Sequence, residues 1–260
     1  MEDLTVAGIA RQLRAAGCVF AEAEAQLLIA AAATSARLGA MVDRRVAGEP
    51  LEHVVGWAEF CGQRVIVAAG VFVPRRRSEF LVSQAAAGGR PGDVVADLCC
   101  GSGALGIAVA AALGGADLHA ADIDPAAVAC AWHNVLPAGG QVYQGDLFAA
   151  LPGTVRGHID ILLANVPYVP TREIALLPAE ARDHESRVAL DGGVDGLGVL
   201  RRVARDARRW LAPGGRFLTE TSERQAARAA GIVADGGLLA RVAADTELGA
   251  TVIIGTRPIG

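Results

Sequence analysis

Between Leu4 and Pro50, apolar residues recur at helical spacing: Leu4, Ile9 and Leu13, then Leu27, Leu28 and Ile29, then Leu38, Met41 and Val42. With Ala, Arg and Glu between them, this spacing predicts two or three short amphipathic helices, closed by Gly48-Glu49-Pro50. From Trp57 to Val73 the pattern changes. Val65, Ile66, Val67, Val71 and Val73 cluster around turn glycines, which predicts a small hairpin. Beyond Asp93, strand-like and helix-like runs alternate. Strands are expected at 94–98, 117–121, 141–143, 159–164, 215–220 and 250–254, with helices over 104–113 and 125–136. Such alternation specifies a doubly wound α/β domain. The chain therefore divides into a helical N-terminal unit (1–56), a linking hairpin (57–74) and a large α/β domain (75–260).

Composition narrows this picture without changing it. A chain of 260 residues that is 52% hydrophobic can bury a substantial core, and charges interrupt each apolar run before it reaches membrane-spanning length. The acidic start, Met1-Glu2-Asp3, is unlike a secretory signal, so a cytoplasmic location and no membrane association are expected. Five cysteines (Cys18, Cys61, Cys99, Cys100, Cys130) show no Cys-x-x-Cys spacing and are expected to be buried thiols, with no disulfide framework and no metal site. All 24 basic residues are Arg, which excludes lysine chemistry, and the net charge of −4 argues against stable nucleic-acid binding.

The candidate chemistry begins where the first α/β strand ends. Gly101-Ser102-Gly103-Ala104-Leu105-Gly106 is a G-x-G-x-x-G turn opening a helix, where the backbone can approach a ligand closely. Asp122, at the end of the next strand, is placed to accept from ribose hydroxyls. A dinucleotide and S-adenosylmethionine both satisfy that geometry. Asp97, just before the turn, would repel a pyrophosphate but attract an ammonium group, which favours S-adenosyl-L-methionine as cofactor. After the third strand, Asp146 is expected to accept from the adenine amine, with Leu147 or Phe148 against the ring.

Asn165-Val166-Pro167-Tyr168 ends the apolar strand at 159–164, on the edge of the sheet where ligands gather. An amide nitrogen is a poor nucleophile because its lone pair is delocalised into the carbonyl. An enzyme that methylates one must hold both N–H groups so that the lone pair points at the methyl carbon. The Asn165 side-chain oxygen and the Val166 carbonyl can accept those two bonds, Pro167 stiffens the turn, and Tyr168 can stand against the acceptor plane. No general base is required before attack, because the proton becomes acidic only once the methyl has arrived.

With these motifs in this order, the sequence resembles the HemK-type (PrmC) protein N5-glutamine methyltransferases over nearly its whole length. Residues 50–62 resemble the family's segment entering the hairpin, Phe72-Val73-Pro74-Arg75 its Pro-Arg signature, Asp97 to Gly103 its donor loop, and Asn165 to Tyr168 its Asn-Pro-Pro-Tyr motif. Residues 189–197 resemble its Gly-Gly-x-Asp-Gly segment. The resemblance implies a seven-stranded Rossmann-like methyltransferase domain and a small helical N-terminal domain that helps recognise a protein substrate. The implied acceptor is the Gly-Gly-Gln glutamine of a peptide-chain release factor, or a glutamine of another translation protein. It also suggests that Arg75 and Glu79 bind substrate, Glu79 by holding the acceptor loop.

Two departures from the family pattern stand out. Val166 replaces the first Pro of the acceptor motif, which loosens the loop while keeping the carbonyl. Arg76-Arg77-Ser78-Glu79 stands where the family has Pro-Glu-Thr-Glu, a change that favours an acidic acceptor; read as helix entry alone, the same segment makes Ser78 a cap. Asp183, His184 and Glu185 are expected in a loop over the site, where His184 reads as solvated. Competing readings are methylation of a small metabolite or a nucleobase amine, and a non-catalytic binding module that leaves Asn165 to Tyr168 unexplained.

Overall fold

The computed structural model describes residues 3–259. Helices α1 (Val6–Ala15), α2 (Ala21–Ala31), α3 (Ser35–Val46) and the short α4 (Leu51–Val55) make the N-terminal unit. Thr5 and Thr34 start α1 and α3 by accepting from the Gly8 and Arg37 N–H groups. Ile9, Leu13, Leu28, Met41, Val42 and Val54 enclose a core of their own.

Strands β1 (Trp57–Phe60) and β2 (Gln63–Ile66) pair antiparallel as the expected hairpin, which is tighter than 57–74. The chain then continues through α5 (Glu79–Ala86), β3 (Val94–Leu98), α6 (Ala104–Ala112), β4 (Asp117–Asp122), α7 (Pro125–Val135), β5 (Gln141–Gln144) and β6 (Ile159–Ala164). After β6 come α8 (Ala179–His184), α9 (Arg187–Leu190), α10 (Gly198–Trp210), β7 (Leu211–Glu220), α11 (Ala226–Asp235), β8 (Leu239–Asp245) and β9 (Ala250–Thr256).

The large sheet has seven strands in the order β5-β4-β3-β6-β7-β9-β8, parallel except for β9, which runs antiparallel to both neighbours. Successive residues of its strands serve opposite faces. Val95, Ile161 and Leu163 pack with Leu81, Ile107 and Ala131 of α5, α6 and α7, whereas Ala96, Leu98 and Leu162 pack with Val203 and Val233 of α10 and α11.

Six of the seven strands coincide with the expected ones. The seventh, β8, lies at the sheet edge and is largely exposed, so its sequence carries no apolar alternation. Strand β7 begins earlier than expected because Leu211 pairs with Ile159 before the Pro213-Gly214-Gly215 irregularity, and Arg216 with Ile161 after it. Helix α10, which is not among the expected helices, buries Leu200, Val203, Ala204 and Ala207, a helical spacing that is visible in the sequence.

The sheet order reverses at β3, which lies between β4 and β6. Leu98 pairs with Ala164, the last residues of β3 and β6, and Leu163 pairs with Leu218 two residues before the end of β7. The donor turn, the acceptor loop and Glu220 therefore leave the sheet at one level, at the crevice such reversals create.

Asn134, on α7, joins the hairpin to that edge. Its Oδ1 accepts from the Ile66 N–H at 2.9 Å, and its Nδ2 donates to the Ile66 carbonyl at 2.9 Å and the Ser102 carbonyl at 2.8 Å. Asn134→Ala leaves the Ile66 N–H and the Ser102 carbonyl unpaired and the Ile66 carbonyl with only the Cys130 thiol. It is expected to lower the unfolding free energy by about 1–3 kcal/mol, read from urea denaturation.

Candidate active site

A cavity of about 1050 Å³ opens along this sheet edge, walled by Gly101, Asp122, Leu147, Asn165, Tyr168 and Glu185 among others. The segment from Leu177 to Leu190, which carries α8 and α9, lines one side of it. Arg45 of the N-terminal unit bridges Glu24 and Glu180 at 2.6 Å each and so ties that segment to the helical domain.

On the donor side, the Gly101-Ser102-Gly103 turn delivers the chain into α6. Gly101 and Gly103 adopt left-handed backbone at φ 55° and 78°. Gly101 lines the cavity, whereas Gly103 serves packing, since a Cβ there would sit 2.6 Å from the Val135 side chain. Asp122 steadies this turn. Its Oδ2 accepts from the Gly101 N–H and its Oδ1 from the Asp124 N–H, both at 2.9 Å, and Asp122 borders the cavity. Burial pushes its pKa up against the pull of these N–H groups.

Asp97 does not lie where direct contact with an ammonium group requires. It is fully buried behind the turn and accepts from the Gly106 N–H at 2.9 Å, while its Oδ1 has no partner. Desolvation carries its pKa up to about 7, with the Gly106 bond opposing and Asp122 adding to the rise. What the structure shows for Asp97 is support of the loop from beneath.

Asp146 and Leu147 both border the cavity, and Arg202 pairs with Asp146 at 2.5 Å. Leu147 takes a left-handed φ of 50°, a strained conformation for a branched side chain, of the kind that collects at ligand sites. Phe148 points into the core and stacks on Trp210 at 5.3 Å, so Leu147 alone of the pair can face an adenine.

On the acceptor side, Asn165, Val166, Pro167 and Tyr168 all border the cavity. The Asn165 Oδ1 is buried and finds no donor in the protein, as do the Glu185 Oε2 and Thr221 Oγ1 atoms. The Tyr168 hydroxyl donates to Glu220 Oε1 at 3.0 Å and accepts from Arg77 at 2.6 Å. Arg77 also donates to Glu220 Oε1 at 2.8 Å, and the Ser78 hydroxyl to Glu220 Oε2 at 2.6 Å.

Several expectations change here. Ser78 does not cap α5, because its hydroxyl is turned to Glu220. Glu79 does not hold the acceptor loop; it accepts from the Cys61 N–H at 3.1 Å and so fixes the β1–β2 turn. Arg77 offers no free charge to an acidic acceptor, because Glu220 answers it from within the protein. Arg76 is exposed. Arg75 borders the cavity and pairs at 2.5 Å with Glu185, whose carboxylate also accepts from the Val73 N–H. Of the five free thiols, Cys61 and Cys99 are only half-buried.

Glu220 and Thr221 are the residues sequence reasoning missed; of the loop expected over the site, Asp183 and His184 belong to α8, and Glu185 is buried against the cavity. Glu220 carries a signal, a carboxylate at the C-terminal end of an apolar strand. Glu185 is expected over the site, but its burial beside a bridge to Gly70 is a long-range contact that the sequence does not show.

Residues 63–193, half of the chain, match the family model described as "Methyltransferase small domain". A release factor glutamine methyltransferase of Streptomyces coelicolor is 38% identical over 194 residues, which span 73% of this chain and 69% of the relative. The chain belongs to this methyltransferase family. A 4-amino-L-phenylalanine/4-methylamino-L-phenylalanine methyltransferase of Streptomyces pristinaespiralis is 35% identical to it, over 72% of this chain and 65% of that one. A solved methyltransferase from Pyrococcus furiosus shares the fold, with a TM-score of 0.55 at 12% identity over 75% of this chain and 90% of that one.

The methyl donor of this methyltransferase is S-adenosylmethionine. The residues present fit it. A glycine turn allows close backbone approach, Asp122 stands at the strand end, and the cavity has room for donor and acceptor together. Among the described residues no three His, Cys, Asp or Glu side chains group as metal ligands, and no helix is long and apolar enough to cross a membrane.

Two outcomes are expected on the donor side. Asp122→Ala should weaken S-adenosylmethionine binding by about 1–3 kcal/mol in titration calorimetry, and Asp122→Asn, which keeps an acceptor for Gly101, by less. Asp97 has a folded-state pKa above its ordinary 3.8, so its contribution to stability is full below that value and is lost as pH rises to about 7. Asp97→Asn, which cannot ionise, should gain on the wild type in urea stability between about pH 4 and pH 8. A pH-independent difference would contradict this account.

Proposed function

We propose that this methyltransferase transfers the methyl group of S-adenosylmethionine to the side-chain nitrogen of a glutamine in a peptide-chain release factor, at the Gly-Gly-Gln segment. The observation that carries the reading is the Asn165 Oδ1, a desolvated acceptor with no protein donor, at the end of β6 beside the donor turn. An unpaired buried acceptor costs about 1–3 kcal/mol, which a substrate amide N–H relieves.

S-adenosylmethionine supplies an electrophilic methyl carbon on a sulfonium. The protein supplies orientation. Asn165 Oδ1 and the Val166 carbonyl each hold one N–H of the acceptor amide, so that its lone pair faces the donor turn. Tyr168 forms the wall beside the acceptor. Its hydroxyl stays protonated, since burial and then Glu220 push its pKa up to about 12. When bound, S-adenosylmethionine would give up its methyl to the held nitrogen with its sulfonium leaving as the thioether, and the nitrogen would then release its proton to solvent, so no side-chain base is needed.

Gly101, Asp122, Asp146 and Leu147 line the donor side in this reading, with Asp97 and Gly103 supporting the turn from behind, and Arg75 with Asn165 and Tyr168 the substrate side. The helical unit at 1–56 recognises the protein substrate, and the enzyme acts in the cytoplasm without stable nucleic-acid binding, consistent with its net charge of −4. The Streptomyces pristinaespiralis relative favours a second reading, an arylamine acceptor, whose nitrogen is likewise planar and delocalised.

Incubation with labelled S-adenosylmethionine and either purified release factor or 4-amino-L-phenylalanine, followed by mass spectrometry, separates the two. Methylation is expected at the Gly-Gly-Gln glutamine. Methylation of the amino acid alone would transfer the assignment to the second reading. Asn165→Ala should abolish transfer and leave donor affinity within a few-fold; an equal loss of donor affinity would remove Asn165 from the acceptor clamp.

A further inference from the structure

The acceptor loop has a weakness and a brace. Val166 occupies the position where Pro would restrict the backbone, so the loop relies on other contacts for its shape. At the far end of the motif, Tyr168 is fastened from two elements. Arg77, on the turn before α5, donates to both Glu220 and the Tyr168 hydroxyl, while that hydroxyl donates back to Glu220 at the end of β7. Ser78 takes up the other Glu220 oxygen, which leaves the carboxylate paired on both sides and almost wholly buried. Gln225 holds the Tyr168 carbonyl at 3.1 Å.

We propose that Arg77 and Glu220 are positioning residues for methyl transfer, bracing the acceptor loop through the Tyr168 hydroxyl and supplying the rigidity that Val166 does not. The proposal rests on the reading that Tyr168 stands beside the acceptor. Neither residue touches the reacting atoms. Their effect comes from holding the loop, and hence Asn165 and the Val166 carbonyl, in one arrangement at the moment of attack. The planar guanidinium is suited to this task, because one fork reaches a carboxylate and a hydroxyl together; an ammonium group reaches one at a time.

Replacing one member of the pair strands a buried charge and threatens folding, so the decisive variant removes both, Arg77→Met with Glu220→Gln. Arg77→Lys serves as the conservative variant. Steady-state kinetics with release factor are expected to show kcat about ten-fold lower in the double variant, with KM and the S-adenosylmethionine Kd within about two-fold. Adding Tyr168→Phe should cost nothing more, since the brace acts through the hydroxyl. Adding Val166→Pro should recover part of the lost kcat, because it stiffens the same loop by a different route.

A second measurement needs no acceptor. The chain has two tyrosines, Tyr143 and Tyr168, so labelling the ring ζ-carbon gives two resonances. The Tyr168 signal should move in the double variant, and less in Arg77→Lys, while Tyr143 stays in place. An unmoved Tyr168 signal overturns the proposal, as does an unchanged kcat or a loss confined to KM and donor affinity. If the wild type fails to methylate release factor, the proposed function fails separately, and the Tyr168 resonance still decides whether the brace exists.

Discussion

The pairing of β3 with β6 is the constraint on which this site depends. Both strands are central and almost wholly buried, and their register ends with Leu98 opposite Ala164. The segments that continue from these two strands must leave the sheet side by side, with donor turn next to acceptor loop. Slippage of one residue would turn every side chain of a strand to the opposite face, exchanging the residues packed on α6 for those packed on α10. The reaction geometry is therefore secured by hydrophobic burial some distance from any polar group that takes part in it. Asp122 then refines the arrangement, joining the end of β4 to the donor turn with a single carboxylate oxygen.

The carboxylates around the cavity divide by how their buried charge is answered. Glu220 has Arg77, Ser78 and Tyr168; Glu185 has Arg75 and the Val73 N–H. Asp122 has backbone N–H groups, and Asp97 has one such bond and an unpaired second oxygen. A carboxylate with no cation beside it in a dry site moves toward its neutral form, which is why Asp97 shifts furthest of the three aspartates and glutamates whose pKa burial raises. With all four carboxylates buried, the partner separates Asp97, which steadies a helix entry, from Glu220 and Glu185, which hold cations at the cavity wall.

Much of the fold was legible because buried parallel strands read as apolar runs and the glycine turn marks where the first of them meets a helix. Asn165 to Tyr168 was legible for the same reason, as a polar motif at the end of such a run. The misreadings have one physical source. Glu79 and Arg77 lie two residues apart on one turn, yet one faces the hairpin and the other the cavity. Their sequence neighbourhood could not separate them, since the partners of each lie far along the chain, Glu79 with Cys61 and Arg77 with Tyr168 and Glu220. Strand β8 escaped for the opposite reason, because an exposed edge strand places little demand on its side chains.

Arg77 shows how a cation at the cavity wall can be answered from within the protein. A cation at a cavity mouth ordinarily attracts an anion from solvent or substrate. At this position a buried carboxylate on β7 meets it first, and the desolvation of Glu220 makes that pairing necessary to both. The guanidinium retains a second donor for the Tyr168 hydroxyl, so neutralising Glu220 and holding the acceptor loop are one interaction. With Val166 leaving the backbone of the acceptor loop unrestricted near one end, this tether to Tyr168 constrains the other.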